Sequence, residues 1–314
     1  MTATEPSRTA PSESGGGASY ALSAFVLWGA FPIYFKAVTE VPALELIGHR
    51  TMWSTFFVGL VIVALGRRHL VMETFRNRRL LLTLSLTALI LAFNWMIFIW
   101  AMNSGQVLQS SLGYYINPLV SVALGFVVLG ERLNRRRWAA VALAATGVAI
   151  PILGLGQFPW VALSLAVSFG VYGLMRKTAS VDAITGLLVE TLLLCPFALA
   201  YIIYIEVTGI AVFGEVSLKL DILIIACGAV TALPLVLFTQ AARRLPLATV
   251  GIFQYIAPSG HFLLAVFAYG EAFTSAHLAT FALIWAALAV YTWDMLAARR
   301  EKAGEVRRAR GIGP

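Results

Sequence analysis

The chain has 314 residues, 60% of them hydrophobic and only 12% Asp, Glu, Lys or Arg. A soluble domain carries about twice that charged fraction. With the mean hydropathy of +0.84, this excludes a water-soluble enzyme, a disordered chain and a coiled coil. The formal net charge of +8 would suit nucleic acid, but its placement along the chain points to a membrane surface.

Residues 1–18 are rich in Ser, Thr, Pro, Gly and Glu, show no apolar periodicity and read as a disordered tail. The apolar run that follows has no small-residue cleavage site and reads as a retained first helix, not a signal peptide. One transmembrane helix takes about 20 apolar residues. Ten such stretches follow in order: 20–38, 43–65, 80–102, 107–129, 138–156, 158–175, 184–205, 220–241, 247–269 and 276–297. The sequence therefore predicts an all-α membrane protein of ten transmembrane helices, with hairpin turns near Pro42 and Gly156. Cys195 and Cys227 fall inside apolar stretches, so neither a disulfide framework nor a metal site is readable.

Basic residues set the orientation. With ten spans, both termini and every even-numbered loop share one side. That side receives 20 of the 23 Lys and Arg, in clusters such as Arg67–Arg79, Arg132–Arg137, Arg176–Lys177 and Arg299–Arg310. Only Lys36, Arg50 and Lys219 fall elsewhere. The asymmetry predicts cytoplasmic termini in a multi-pass plasma-membrane protein. It also assigns the clusters to topology and lipid headgroups, not to nucleic acid.

The chain also repeats itself. Tyr115-Ile116-Asn117-Pro118 returns as Tyr255-Ile256-Ala257-Pro258, and Gly130-Glu131 as Gly270-Glu271, all at a spacing of 140 residues. Span 1 matches span 6 at 141: Ala21-Leu22-Ser23 with Ala162-Leu163-Ser164, Gly29 with Gly170, and Lys36 with Lys177. This divides the chain into a tail (1–18), a first repeat (19–157), a second repeat (158–298) and a basic tail (299–314). Five spans per repeat is an odd number, so the second copy enters the membrane from the opposite side. Inverted repeats of this kind recur in secondary transporters.

These residues resemble the drug/metabolite transporter superfamily, with two EamA-type five-helix repeats, and look most like its RarD subfamily. The likeness is carried by Pro42–Arg50, Asn94–Trp100, Ser111–Leu119 through Gly130–Leu133, and Ala241–Pro246 through Phe253–Pro258. It implies a ten-helix inner-membrane permease, an exporter of small metabolites or drugs.

Ionisable groups inside hydrocarbon are costly unless they face a cavity or a partner. Span 2 carries Glu45, His49 and Arg50. The first two are four apart and share a helix face, with Arg50 about 100° away. Arg50 is placed to hold a substrate carboxylate or to pair with Glu45 or Glu190, or else it snorkels outward. Glu190 lies about 9 Å inside span 7, where His49 maps at a spacing of 141, and is a candidate proton carrier.

Asn94, Trp95, Gln109, Tyr114, Tyr115, Asn117, Gln254 and Tyr255 are candidate pathway residues offering amide, phenol and aromatic surface. Each has a structural alternative as interhelical glue, as does His261. Pro118 and Pro258 free a backbone carbonyl each and are candidate gating prolines. Glu131 and Glu271 close spans 4 and 9 and read as helix-end groups. Ala140, Ala144 and Gly147 read as packing positions.

HExxH, P-loop, GxGxxG and nucleophile-elbow motifs do not occur in the sequence, so no cofactor and no catalytic role is expected. The expected function is secondary-active or facilitative transport of a small-molecule substrate, with protons as candidate coupling ions. A lipid-modifying enzyme built on Glu45, His49 and Arg50 is the alternative.

Overall fold

A computed structural model describes residues 14–104, 106–154, 156, 158–270 and 275–309, and no strand occurs among them. The helices are α1 (Ser14–Gly29), α2 (Phe31–Ala37), α3 (Ala43–Ala64), α4 (Arg68–Arg76), α5 (Arg78–Asn103), α6 (Val107–Val127) and α7 (Arg135–Gly154). Then come α8 (Trp160–Thr178), α9 (Ala183–Val207), α10 (Leu218–Arg244), α11 (Leu247–Gln254), α12 (Ile256–Leu263), a π-helical turn (Leu264–Ala268) and α13 (Ser275–Ala309).

Nine helical stretches among the described residues are long and apolar enough to cross a membrane. The expected sixth span is the exception. It forms α8, a 19-residue helix that carries Arg176 and Lys177 in its last turn, where the sequence reading placed both in a loop. Four further differences are local. Ser14–Ala18, expected to be disordered, begins α1. The first span is broken at Ala30, because Pro32 has no N–H to continue the ladder and instead sits in the first turn of α2. The ninth span is broken at Tyr255, between α11 and α12, close to Pro258. The tail after span 10 continues as helix to Ala309.

Helix ends follow the sequence. Asp182 accepts from the Ile184 and Thr185 amides to cap α9, and Ser217 accepts from Leu220 to cap α10. The repeated Gly130 and Gly270 both take φ near +65° (65° and 67°), the left-handed stop that glycine adopts without strain.

The bundle buries small residues where helices cross. Gly228 of α10 lies directly on the Trp53 backbone of α3, and Ser54 donates to its carbonyl at 2.9 Å. Ala140 and Ala144 of α7 are wholly buried, and a Cβ on Gly147 would come within 3.0 Å of the Thr280 carbonyl of α13. Leu82, Leu89, Phe93 and Met96 of α5 share one outward face and are all more than half exposed, the pattern of a lipid-facing stripe.

The main helix neighbours are α1 with α10 and α12, α3 with α9 and α10, α5 with α8 and α9, α6 with α8 and α11, and α7 with α13.

Candidate substrate site

Four helices, α3, α5, α9 and α10, enclose an internal cavity. Its polar and aromatic wall is Arg50, Thr51 and Ser54 from α3, Trp95 from α5, Glu190 and Thr191 from α9, and Thr231 from α10. Ala88, Leu91, Leu187, Leu194 and Leu235 supply the apolar remainder. The cavity volume is about 10 Å³, the room of roughly one water molecule.

Glu190 is fully buried and holds three helices together. Its Oε1 accepts from the Thr87 hydroxyl of α5 at 2.6 Å and lies 3.5 Å from Nε of Arg176 on α8. Its Oε2 accepts from the Tyr172 hydroxyl at 3.3 Å. Arg176 is itself without solvent exposure and donates through Nη2 to the Ala183 carbonyl at 3.1 Å. Its guanidinium lies against Gly186, where any Cβ would collide with it. A carboxylate taken out of water requires such compensation, and here a cation and two hydroxyl donors provide it.

Arg50 is different. Its guanidinium lies 3.6 Å from the centroid of the Trp95 ring. Its Nε and Nη2 are sealed from solvent and have no hydrogen-bond partner among the described residues. No carboxylate of the described residues comes within salt-bridge distance of it. The pairings with Glu45 or Glu190 weighed from the sequence are not made.

The remaining candidates lie apart from this cavity. Glu45 accepts from the Val212 and Phe213 amides at 2.9 and 3.0 Å and so pins the loop between α9 and α10. His49 lies 3.9 Å from Glu45 and packs its ring on Phe213. Asn94 donates to the Leu165 carbonyl and the Ser168 hydroxyl of α8, at 2.9 and 2.8 Å. Gln109 accepts from the Val161 amide at 3.3 Å. Gln254 pairs with Ser121 across α11 and α6. Tyr114 meets His261 edge-on, Tyr115 meets Phe281, and His261 Nε2 lies 2.8 Å from the Trp28 carbonyl. The Tyr255 hydroxyl and Asn117 Oδ1 are buried without a hydrogen-bond partner among the described residues. Pro118 lies inside α6, with its carbonyl against Gly251, and Pro258 lies inside α12. Glu131 caps α11 by accepting from the Leu247 and Ala248 amides at 2.6 and 2.9 Å. Glu271 lies outside the described residues.

Three groups around Glu190 were not singled out from the sequence: Thr87, Tyr172 and Arg176. A signal existed for the last. Only four residues separate α8 from α9, so an arginine just before that turn reaches the first two turns of the next helix. Asp294 of α13 was also missed. Buried at 3% exposure, it accepts from Asn134 at 2.9 Å and from Arg137 Nε at 2.9 Å.

Residues 15–153 match the sequence profile of the EamA-like transporter family. An uncharacterized transporter of Vibrio cholerae is 50% identical over 292 residues, covering 92% of this chain and 95% of its own. Protein RarD of Escherichia coli is 43% identical over 285 residues, covering 90% and 96%. The chloramphenicol-sensitive protein RarD of Pseudomonas aeruginosa is 35% identical over 294 residues, covering 92% and 98%. A solved crystal structure shares the fold, with a TM-score of 0.70 at 18% identity, over 89% of this chain and 98% of that one. Nine apolar helical stretches among the described residues, together with near-full-length identity to these relatives, place the chain in the EamA-like transporter family and its RarD subfamily, as a multi-pass membrane transporter of the drug/metabolite type.

Proposed function

We propose that this protein exports small organic molecules across the bacterial inner membrane by alternating access. In this reading it has ten spans in two inverted five-helix repeats, 19–157 and 158–298, and the Arg50–Trp95–Glu190 cavity is the centre of the pathway. The observation that carries the reading is that the cavity is walled by equivalent positions of the two repeats. At a spacing of 141, Arg50 answers to Thr191. At 140, Leu91 answers to Thr231 and Trp95 to Leu235, and all six line the cavity. A cavity on the axis relating two inverted halves is where exchanging their conformations exchanges access from one side to the other.

The helix neighbours support the same plan, since they come in matched pairs. Under the repeat, the contact of α1 with α10 answers to that of α8 with α5. That of α3 with α10 answers to α9 with α5, and α6 with α8 to α12 with α1. The contacts α3–α9, α6–α11 and α7–α13 each join equivalent helices. The family profile, at residues 15–153, spans about one such repeat.

Organic solutes occupy sites of roughly 300–1,000 Å³, against about 10 Å³ here. The helices must therefore part to admit a substrate, and the conformation described is a closed one. Export rests on the family resemblance, and cytoplasmic termini on the basic asymmetry. The enzyme alternative would need Arg50 beside Glu45 and His49, whereas Arg50 makes no ion pair with Glu45 and lies on the Trp95 ring.

The test is flux. Proteoliposomes preloaded with a radiolabelled metabolite panel should release at least one solute saturably and in proportion to the protein present. If no member of the panel moves faster than from empty liposomes, the transport reading fails.

A further inference from the structure

We infer that the cavity binds the carboxylate of a small organic monoanion, held by Arg50, and that it does not take a zwitterionic or cationic solute. This rests on the transport reading and deepens it by naming the substrate class.

The inference comes from contrasting two buried arginines. Arg176 has a counter-charge, Glu190 at 3.5 Å, and donates to the Ala183 carbonyl at 3.1 Å, although its own Nε and Nη1 form no hydrogen bond among the described residues. Arg50 has the face of Trp95 and no carboxylate within salt-bridge distance, and its Nε and Nη2, sealed from solvent, have no hydrogen-bond partner among the described residues. A ring face offsets part of a cation's desolvation, but it accepts no N–H hydrogen bond of full strength. A buried guanidinium with open donors is costly, and a transporter recovers that cost only when a ligand supplies the missing acceptors. Carboxylate geometry matches the guanidinium fork bidentately.

The other charged wall excludes a matching ammonium. Both oxygens of Glu190 already accept hydrogen bonds, from Thr87 and Tyr172, and its charge is balanced by Arg176. A substrate ammonium would thus enter hydrocarbon unpaired. The neutral hydroxyls of Thr51, Ser54, Thr191 and Thr231, with Leu91, Leu187, Leu194 and Leu235, suit a short aliphatic or aromatic body.

The repeat sharpens the point. The position equivalent to Arg50 is Thr191, so the axis carries a single guanidinium in place of a symmetric pair, and one anionic group per substrate satisfies it.

The experiment is thermal unfolding of the purified full-length protein in lipid nanodiscs, titrated with four probes of nearly one shape: 4-methylpentanoate, 4-methylpentanamide, leucine and isopentylamine. The carboxylate should raise the melting temperature saturably, with an apparent affinity at least about tenfold above the other three. Arg50→Gln should lose that stabilisation, and Arg50→Lys, which keeps charge but not the fork, should retain part of it.

Without ligand, Arg50→Gln should melt about 2 °C or more above the parent, because an unpaired buried cation has been removed. Equal responses to all four probes, a carboxylate response unchanged in Arg50→Gln, or a ligand-free Arg50→Gln protein less stable than the parent would each overturn the inference. If Arg50→Gln does not fold, full-strength carboxylate binding by Arg50→Lys would do so as well. Failure here with saturable efflux intact in proteoliposomes removes only the monoanion assignment. Loss of both removes the transport reading.

Discussion

At the scale of single residues, Glu190 offers the clearest test of ion coupling. It is the one carboxylate among the described residues lining the cavity, and it ties α5, α8 and α9 through Thr87, Tyr172 and Arg176. Glu190→Gln keeps shape and reach but cannot release a proton, and it leaves Arg176 without its counter-charge. If Glu190 carries the coupling proton, the variant should still exchange substrate between the two faces yet lose its response to an imposed pH gradient. Wild-type pH response in pH-jump efflux from proteoliposomes, with protein recovery matched, would assign it to structure alone.

The sequence pointed to Arg50, Trp95 and Glu190 because each is polar or aromatic within hydrocarbon. It did not show that these three share a cavity while Asn94, Tyr115 and Gln254 bond or pack elsewhere. Which faces of separate helices meet is set by interhelical packing, and a period along one helix carries no information about the register of another.

Secondary elements show the same division between what is local and what is not. The third span was expected at 80–102 and forms Arg78–Asn103; the second was expected at 43–65 and forms Ala43–Ala64. Apolar run length fixes such bounds directly. The breaks at Ala30 and Tyr255 were not drawn, because proline interrupts some helices and only bends others, and Pro118, Pro151, Pro196 and Pro234 all lie inside continuous ones.

Two tests belong to this scale. In the first, spans 4 and 9 carry the repeated Tyr-Ile-x-Pro. Cysteines at Asn117 and Ala257 should be poorly reactive in the closed state, where Ala257 is 8% exposed. Trapping one open state should shift their labelling by a polar thiol reagent in opposite directions. Two sites that move together would leave the motif as packing.

The second test concerns α13. Asp294 joins it to Asn134 and Arg137 at the start of α7. Asp294→Ala should cost roughly 1.5–3 kcal/mol, seen as a lower melting temperature in the nanodisc assay. An unchanged melting temperature would show the clamp to be dispensable.

For the whole molecule, the decisive quantity is the number of crossings. By length and apolarity alone nine helical stretches qualify, and α8 falls short only through the two basic residues in its final turn. Yet α8 is no surface helix. Val161, Ala162, Leu165, Ala166, Gly170 and Tyr172 are all buried along its length, against α5, α6 and α10. One basic group is neutralised internally by Glu190, and Lys177 donates to the Ala242 carbonyl at 2.8 Å. Charge compensated inside the bundle does not count against spanning as charge facing lipid does.

Ten crossings place both ends on one side, whereas nine would separate them, so topology decides between the two. A reporter fused after Arg310 should be active only as a cytoplasmic reporter, and one inserted at Gly156, in the turn between α7 and α8, only as an external one. The basic asymmetry, 20 of 23 Lys and Arg on the inner side of a ten-span chain, makes the same forecast independently. An external C-terminus would remove α8 from the count. It would also break the five-and-five division, and with it the symmetric cavity on which alternating access is argued.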